Sequence, residues 1–89
     1  MRNIEYSSKF KHDFKLVKKQ GKDLNKLRVV TDLLINNEPI PHIYQDHALR
    51  GNWASYRELH IEPDWLLIYI IFDNTIKLER TGSHSDLFR

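Results

Sequence analysis

Apolar and polar residues alternate through "NIEYS" at positions 3–7, the period of a strand with one buried face. The period then lengthens. Phe10, Phe14 and Val17 recur at helical spacing, which predicts a helix with one buried stripe, capped by Ser7 or Ser8 and ending near Gln20. Gly21 supplies its stop. A second helix is expected from Asp23, a good cap, with Leu24, Leu27, Val30 and Leu34 on its buried side. "NNEPIP" closes it, because asparagines and prolines oppose continuation. A link of fewer than about five residues makes the pair an antiparallel hairpin. The chain then reads as loop over 41–53. Three strands are expected near 54–61, 65–72 and 75–81, the last two joined by a reverse turn in "FDNT". Strand, helix, helix and a three-stranded antiparallel meander predict an α+β fold, with the helices on one face of a sheet and the other face partly open.

Composition narrows the class. A chain of 89 residues fits a single domain over 1–89, and 40% hydrophobic against 29% charged residues is a globular balance rather than a disordered one. The absence of cysteine removes disulfides and thiolate zinc sites, and suits a reducing cytoplasm. No apolar run approaches the roughly 20 residues of a membrane helix, and "MRNIEYSSKF" lacks the apolar core of a secretory signal. A soluble cytoplasmic protein without a membrane partner is the expectation. Charge is unevenly spread: residues 9–28 carry eight Lys/Arg against Asp13 and Asp23, a local +6 in a chain whose total is +2. A face turned to a polyanion produces that asymmetry, and so do surface helices kept soluble by lysine.

Candidate chemistry clusters around "RELHIEPDW". Period two puts Tyr56, Glu58 and His60 on one strand face and Leu59 and Ile61 on the other. If the aliphatic pair faces the helices, His60 faces the open side, with Asp64 just past the turn. His84 follows the last strand and His47 lies in the loop before the meander; a compact meander brings all four together. Histidines serve as general acid and base in RNA cleavage, where the 2′-hydroxyl loses a proton and the departing 5′-oxygen gains one. Arg80 would stabilise charge on the phosphate, and Phe88 or Trp65 would stack on a base. Trp65 opening an apolar strand also fits a core or rim aromatic. Lys18, Lys19 and Lys22 are candidates for backbone contact with RNA. Histidines and a carboxylate suit a metal too, but no two of His47, His60 and His84 lie at tight ligand spacing, so no metal and no cofactor is expected.

The segments "IEYS", "LLINNEPIP", "YQDHALRGNW", "YRELHIEPDWLLIY" and "ERTGSHSDLF" together resemble the RelE/YoeB superfamily of bacterial toxin nucleases, and within it the YafQ-like toxins. The resemblance spans nearly the whole chain. It implies a ribosome-dependent endoribonuclease that enters the A site of the 70S ribosome, cuts messenger RNA and halts translation, silenced by a DinJ/RelB-like antitoxin. It implies catalytic roles for His47 in "DHALRG", His60 and Asp64 in "HIEPD", and His84 in "GSH", with Arg80 and Phe88 handling phosphate or base. Two rival readings are a module that binds RNA or ribosome without cutting, and a metal-dependent hydrolase.

Overall fold

The computed structural model describes residues 1–88. Strand β1 (Asn3–Tyr6) leads into helix α1 (Ser8–Lys19), then helix α2 (Leu24–Ile35). Ser7 is the hinge between the first two: its hydroxyl accepts the Phe10 N–H at 2.9 Å and donates to the Glu79 carbonyl at 2.6 Å. One side chain thus caps α1 and ties its start to the last strand. At the far end Gly21 takes φ +79°, and the Gly21 and Lys22 N–H groups return to the carbonyls of Lys18 and Val17, both at 3.1 Å. Glycine suits that left-handed position because it has no Cβ to clash. Asp23 caps α2 by accepting the Asn25 N–H at 3.0 Å. Phe10, Val17, Leu27, Val30 and Leu34 are buried, as the helical spacing predicts.

Past α2 the chain departs from the expected loop. A 3-10 turn at His42–Tyr44 precedes a two-residue strand, β2 (His47–Ala48), and a second 3-10 turn at Gly51–Trp53 follows it. The meander is β3 (Arg57–Glu62), β4 (Trp65–Phe72) and β5 (Thr75–Gly82), closed by a short helix α3 (His84–Leu87). β3 starts later than expected because that second turn, and Ser55 at φ +78°, occupy the residues before it. The sheet has five strands in the order β1-β5-β4-β3-β2, with β1 parallel to β5 and the other pairs antiparallel. Parallel pairing of the first and last strands needs a crossover, which α1 and α2 provide.

The central strand β4 is buried on both sides. Trp65, Leu67 and Tyr69 join the helices in the main core, while Leu66 and Ile68 form a smaller cluster on the opposite side with Leu87, Leu49, Trp53 and Tyr56. The second face is therefore not simply open. The turns at 49–56 and α3 cover part of it, leaving a strip along β2 and β3. Trp65 is the clear correction to the sequence reading: its exposure is 0%, and its indole N–H donates to the Thr81 hydroxyl at 2.9 Å. A ring with no free face cannot stack on RNA. It belongs to the core.

Candidate active site

Residues on the uncovered strip come from four places in the chain. In β3, Glu58 and His60 point away from the core that takes Leu59 and Ile61, following strand alternation. The β2–β3 register sets His47 opposite Glu58, so a residue expected in a loop is a strand neighbour of the site. His47 Nε2 lies 3.1 Å from Glu58 Oε1, and His60 Nε2 lies 3.5 Å from the same oxygen. The Glu58 side chain is only 7% exposed, against 50% for His47 and 17% for His60. A buried carboxylate thus sits behind two imidazoles that reach solvent. His47 Nδ1 also faces the Ala48 carbonyl at 3.2 Å. Carbonyl and carboxylate both accept, so the ring nitrogen that carries the proton decides which contact is a hydrogen bond.

Asp64 and His84 make the second half. Asp64 Oδ1 accepts the His84 backbone N–H and its Nδ1–H, each at 2.9 Å. Those two bonds hold the Asp64 carboxyl below the usual carboxylate range, the backbone bond being the larger cause, with the Lys22 charge adding to it. The side-chain bond also places a His84 proton on Nδ1, and Nε2 is the ring nitrogen that Asp64 does not engage. Ring centres of His60 and His84 are 5.9 Å apart, and those of His47 and His60 6.3 Å. The aromatic row continues: Phe88 lies 6.3 Å from His84, and Trp53 stands edge-on to Phe88 at 6.3 Å. The four catalytic candidates and Phe88 are thus brought together.

The cationic candidates separate. Arg80 is clasped by Asp13 of α1, Nε to Oδ2 at 2.6 Å and Nη2 to Oδ1 at 3.1 Å, and the same carboxylate accepts the Thr81 N–H at 3.2 Å. Arg80 and Asp13 lie far apart in the chain, and the fold pairs them. The bond to Asp13 pushes the Arg80 guanidinium above its usual range, so it stays charged. Lys22 stands beside the site, 3.9 Å from Glu62 and 5.8 Å from the centre of the Trp65 ring. It lines a polar cleft of about 370 Å³ shared with Asp64, Glu62, Ser83 and Asp86. Lys18 and Lys19 stand exposed on the last turn of α1.

Glu58 is the carboxylate of this cluster that sequence reasoning left without a role. Its place on the His60 face was legible, but its bridge to His47 needed the β2 register. The ligand atoms of His47, Glu58 and His60 all lie within 4.8 Å of one another. Imidazole and carboxylate at that spacing suit a transition metal, a fit that the sequence separation of 47, 58 and 60 conceals.

This is a small α+β sheet protein whose uncovered face carries a strip of histidines and carboxylates, the side-chain types that acid–base chemistry uses. Residues 2–89 match the family described as the bacterial toxin of type II toxin–antitoxin system, YafQ. The mRNA interferase toxin YafQ of Escherichia coli K12 is 51% identical over 88 residues, 98% of this chain and 96% of that protein. A chain in the crystal structure of the E. coli DinJ–YafQ complex is 50% identical, covers 100% of both chains and superposes with a TM-score of 0.92. The metal-bound toxin from Helicobacter pylori is 44% identical over 99% of this chain and 100% of that one, with a TM-score of 0.93. The chain belongs to the YafQ family of toxins.

Proposed function

We propose that this chain cuts messenger RNA in the ribosomal A site, through proton transfers by the His47, His60, Asp64 and His84 row, and is held silent in the cytoplasm by an antitoxin. The coarse part of that reading follows from family membership and from the relative's name: an RNA-cleaving toxin of a toxin–antitoxin pair. The finer part rests on one observation above the rest. The ring centres of His84 and His60 are 5.9 Å apart, and each imidazole lies beside a carboxylate, Asp64 for His84 and Glu58 for His60.

In the reaction, one histidine takes the ribose 2′-hydroxyl proton and that oxygen bonds to the adjacent phosphorus. The bond from phosphorus to the 5′-oxygen breaks, and the other histidine supplies the proton that oxygen needs. A 2′,3′-cyclic phosphate and a 5′-hydroxyl result. His84 acts through Nε2, since Asp64 occupies Nδ1–H. Glu58 orients His47 and His60. Arg80, fixed by Asp13, lends positive charge to the phosphate, and Phe88 offers a ring to a neighbouring base. The lysines at 18, 19 and 22 draw the toxin onto ribosomal RNA.

The E. coli relative has been solved with DinJ, and a DinJ-like antitoxin is the expected partner here. A groove of about 740 Å³ between α1, α2 and β1 is lined by Tyr6, Phe10, Phe14 and Leu24, with Lys11, Lys15 and Arg28 at its rim. That lining suits an acidic segment with apolar anchors, folding as it binds.

A second reading draws on the metal-bound toxin from H. pylori and on the spacing of His47, Glu58 and His60. These three side chains would hold a divalent transition metal, which would supply Lewis-acid stabilisation of phosphate charge. The two readings part in one experiment. Purified protein, programmed ribosomes and a defined message are combined with and without excess chelator. Undiminished cleavage inside the A-site codon, leaving a cyclic phosphate, supports acid–base chemistry by the side chains. Loss of cleavage with chelator and its return with one metal supports the second reading, and an intact message in every tube overturns both.

A further inference from the structure

His47 stands on a strand too short to hold itself. β2 pairs with β3 at only two positions, His47↔Glu58 and Ala48↔Arg57. Gln45, just before it, takes the left-handed φ of +49°, and Gly51, just after, takes +65°. Chain entropy favours fraying of so short a segment between two bends. Just past the strand, the Leu49 N–H donates to the Tyr56 carbonyl at 3.0 Å; the side-chain anchor next to His47 lies on the other side of the sheet. Asp46 Oδ1 accepts the Tyr69 hydroxyl proton at 2.5 Å, and Oδ2 accepts from Arg57 Nη2 at 3.1 Å and Nε at 3.3 Å. Arg57 and Tyr69 are themselves register partners across β3 and β4. Tyr69 is 1% exposed, so its hydroxyl depends on this acceptor. Burial and the Asp46 charge push its ionisation well above the usual tyrosine range, so it remains a donor at working pH.

Resting on the catalytic reading of His47, we infer that Asp46, tied down by Arg57 and Tyr69, is a positioning residue that sets His47 against Glu58 for cleavage. The physical reason is strand alternation. Asp46 is anchored toward the core side, so the next residue must present its side chain to the uncovered strip. A group misplaced by about 1 Å loses about 10²-fold in rate.

The test is a double-mutant cycle in single-turnover cleavage on saturating ribosomes, with urea melts to confirm folding. Asp46→Asn and Tyr69→Phe are the variants, each in wild-type and in His47→Ala background; Tyr69→Phe removes one anchor while leaving Asp46 and Arg57 intact. Asp46→Asn should slow cleavage about 10²-fold and Tyr69→Phe by less, with ribosome affinity unchanged. Neither should slow the His47→Ala enzyme further, because a residue acting only through His47 has nothing left to position. The His47 imidazole resonances should shift in Asp46→Asn and Tyr69→Phe, whereas those of exposed His12 should not. Wild-type rates in Asp46→Asn and Tyr69→Phe beside a slow His47→Ala enzyme overturn the inference alone. So does an equal further loss in both backgrounds. A wild-type rate for His47→Ala overturns the catalytic reading of His47 beneath it.

Discussion

The two sides of the sheet are made from the same strands and do different work. Leu59 and His60 are neighbours in β3, yet Leu59 is fully buried under the helices while His60 keeps an edge to solvent beside Glu58. On the helix side, polar groups serve packing: the Trp65 indole meets Thr81, and Tyr69 meets Asp46. On the other side, apolar packing stops at Leu66, Ile68 and Leu87, and polar groups face outward unspent on the core. The main core and the proposed site are thereby divided by a single strand's thickness. Away from the Asp46–Tyr69 contact, which joins the two, a substitution on one side should leave the other nearly untouched.

The strongest way to break that division is to cut the row itself. His60→Ala and His84→Ala should each lose about 10² to 10⁴ in single-turnover cleavage, while urea midpoints stay near wild type. The double variant should be scarcely slower than the worse single, as for groups acting in one step. His12→Ala and His42→Ala, exposed and outside the row, should cut normally. Wild-type rates in well-folded His60→Ala and His84→Ala would end the acid–base assignment.

Next comes the opposite experiment, on the core side. Trp65→Ala should cost about 3–5 kcal/mol, a large share of the 5–15 kcal/mol typical of a domain. Urea unfolding measures it directly. A change below about 1 kcal/mol, with slowed cleavage, would return Trp65 to the RNA-facing side of the comparison.

A smaller effect is expected from charge outside both regions. Alanine at Lys18, Lys19 and Lys22 together should weaken ribosome binding and reduce its salt slope by about one for each lysine that meets a phosphate. Chemistry on saturating ribosomes should be preserved. An unchanged salt slope would assign these lysines to solubility.

The smallest effect concerns acid. The folded Asp64 carboxyl lies below its ordinary range because His84 donates to it. Its contribution to stability is therefore complete above about pH 3.9, the unfolded value, and fades as pH falls through the lower folded one. Urea midpoints of wild type and Asp64→Asn should differ slightly near neutrality and converge in strong acid. Midpoints that diverge as acid is added would contradict the Asp64–His84 geometry.

Much of this architecture was legible in the chain because it is local. Helical spacing of Phe10, Phe14 and Val17, the caps at Ser7 and Asp23, and the left-handed stop at Gly21 all act within a few residues of themselves. Period two likewise placed Glu58 and His60 opposite Leu59 and Ile61 before any fold was known. The uninterrupted "WLLIY" resisted the same method, because a strand buried on both faces has no alternation to read. Trp65 was offered both as a stacking ring and as a core or rim aromatic, and only its 0% exposure decides for the core.

What the sequence alone determined is β1, the two long helices, the three meander strands and the face on which β3 carries Glu58 and His60, since these depend on backbone period and on capping over short range. What tertiary structure decided is every relationship that closes a long loop. The parallel seat of β1 beside β5, the clasp of Asp13 on Arg80, the donation from His84 to Asp64 and the convergence of His47 on Glu58 join residues that no periodic signal connects. Such contacts form only when the whole core has made up the entropy of bringing distant segments together. Pattern reports which side of an element is apolar; only the packed sheet chooses which polar residues meet.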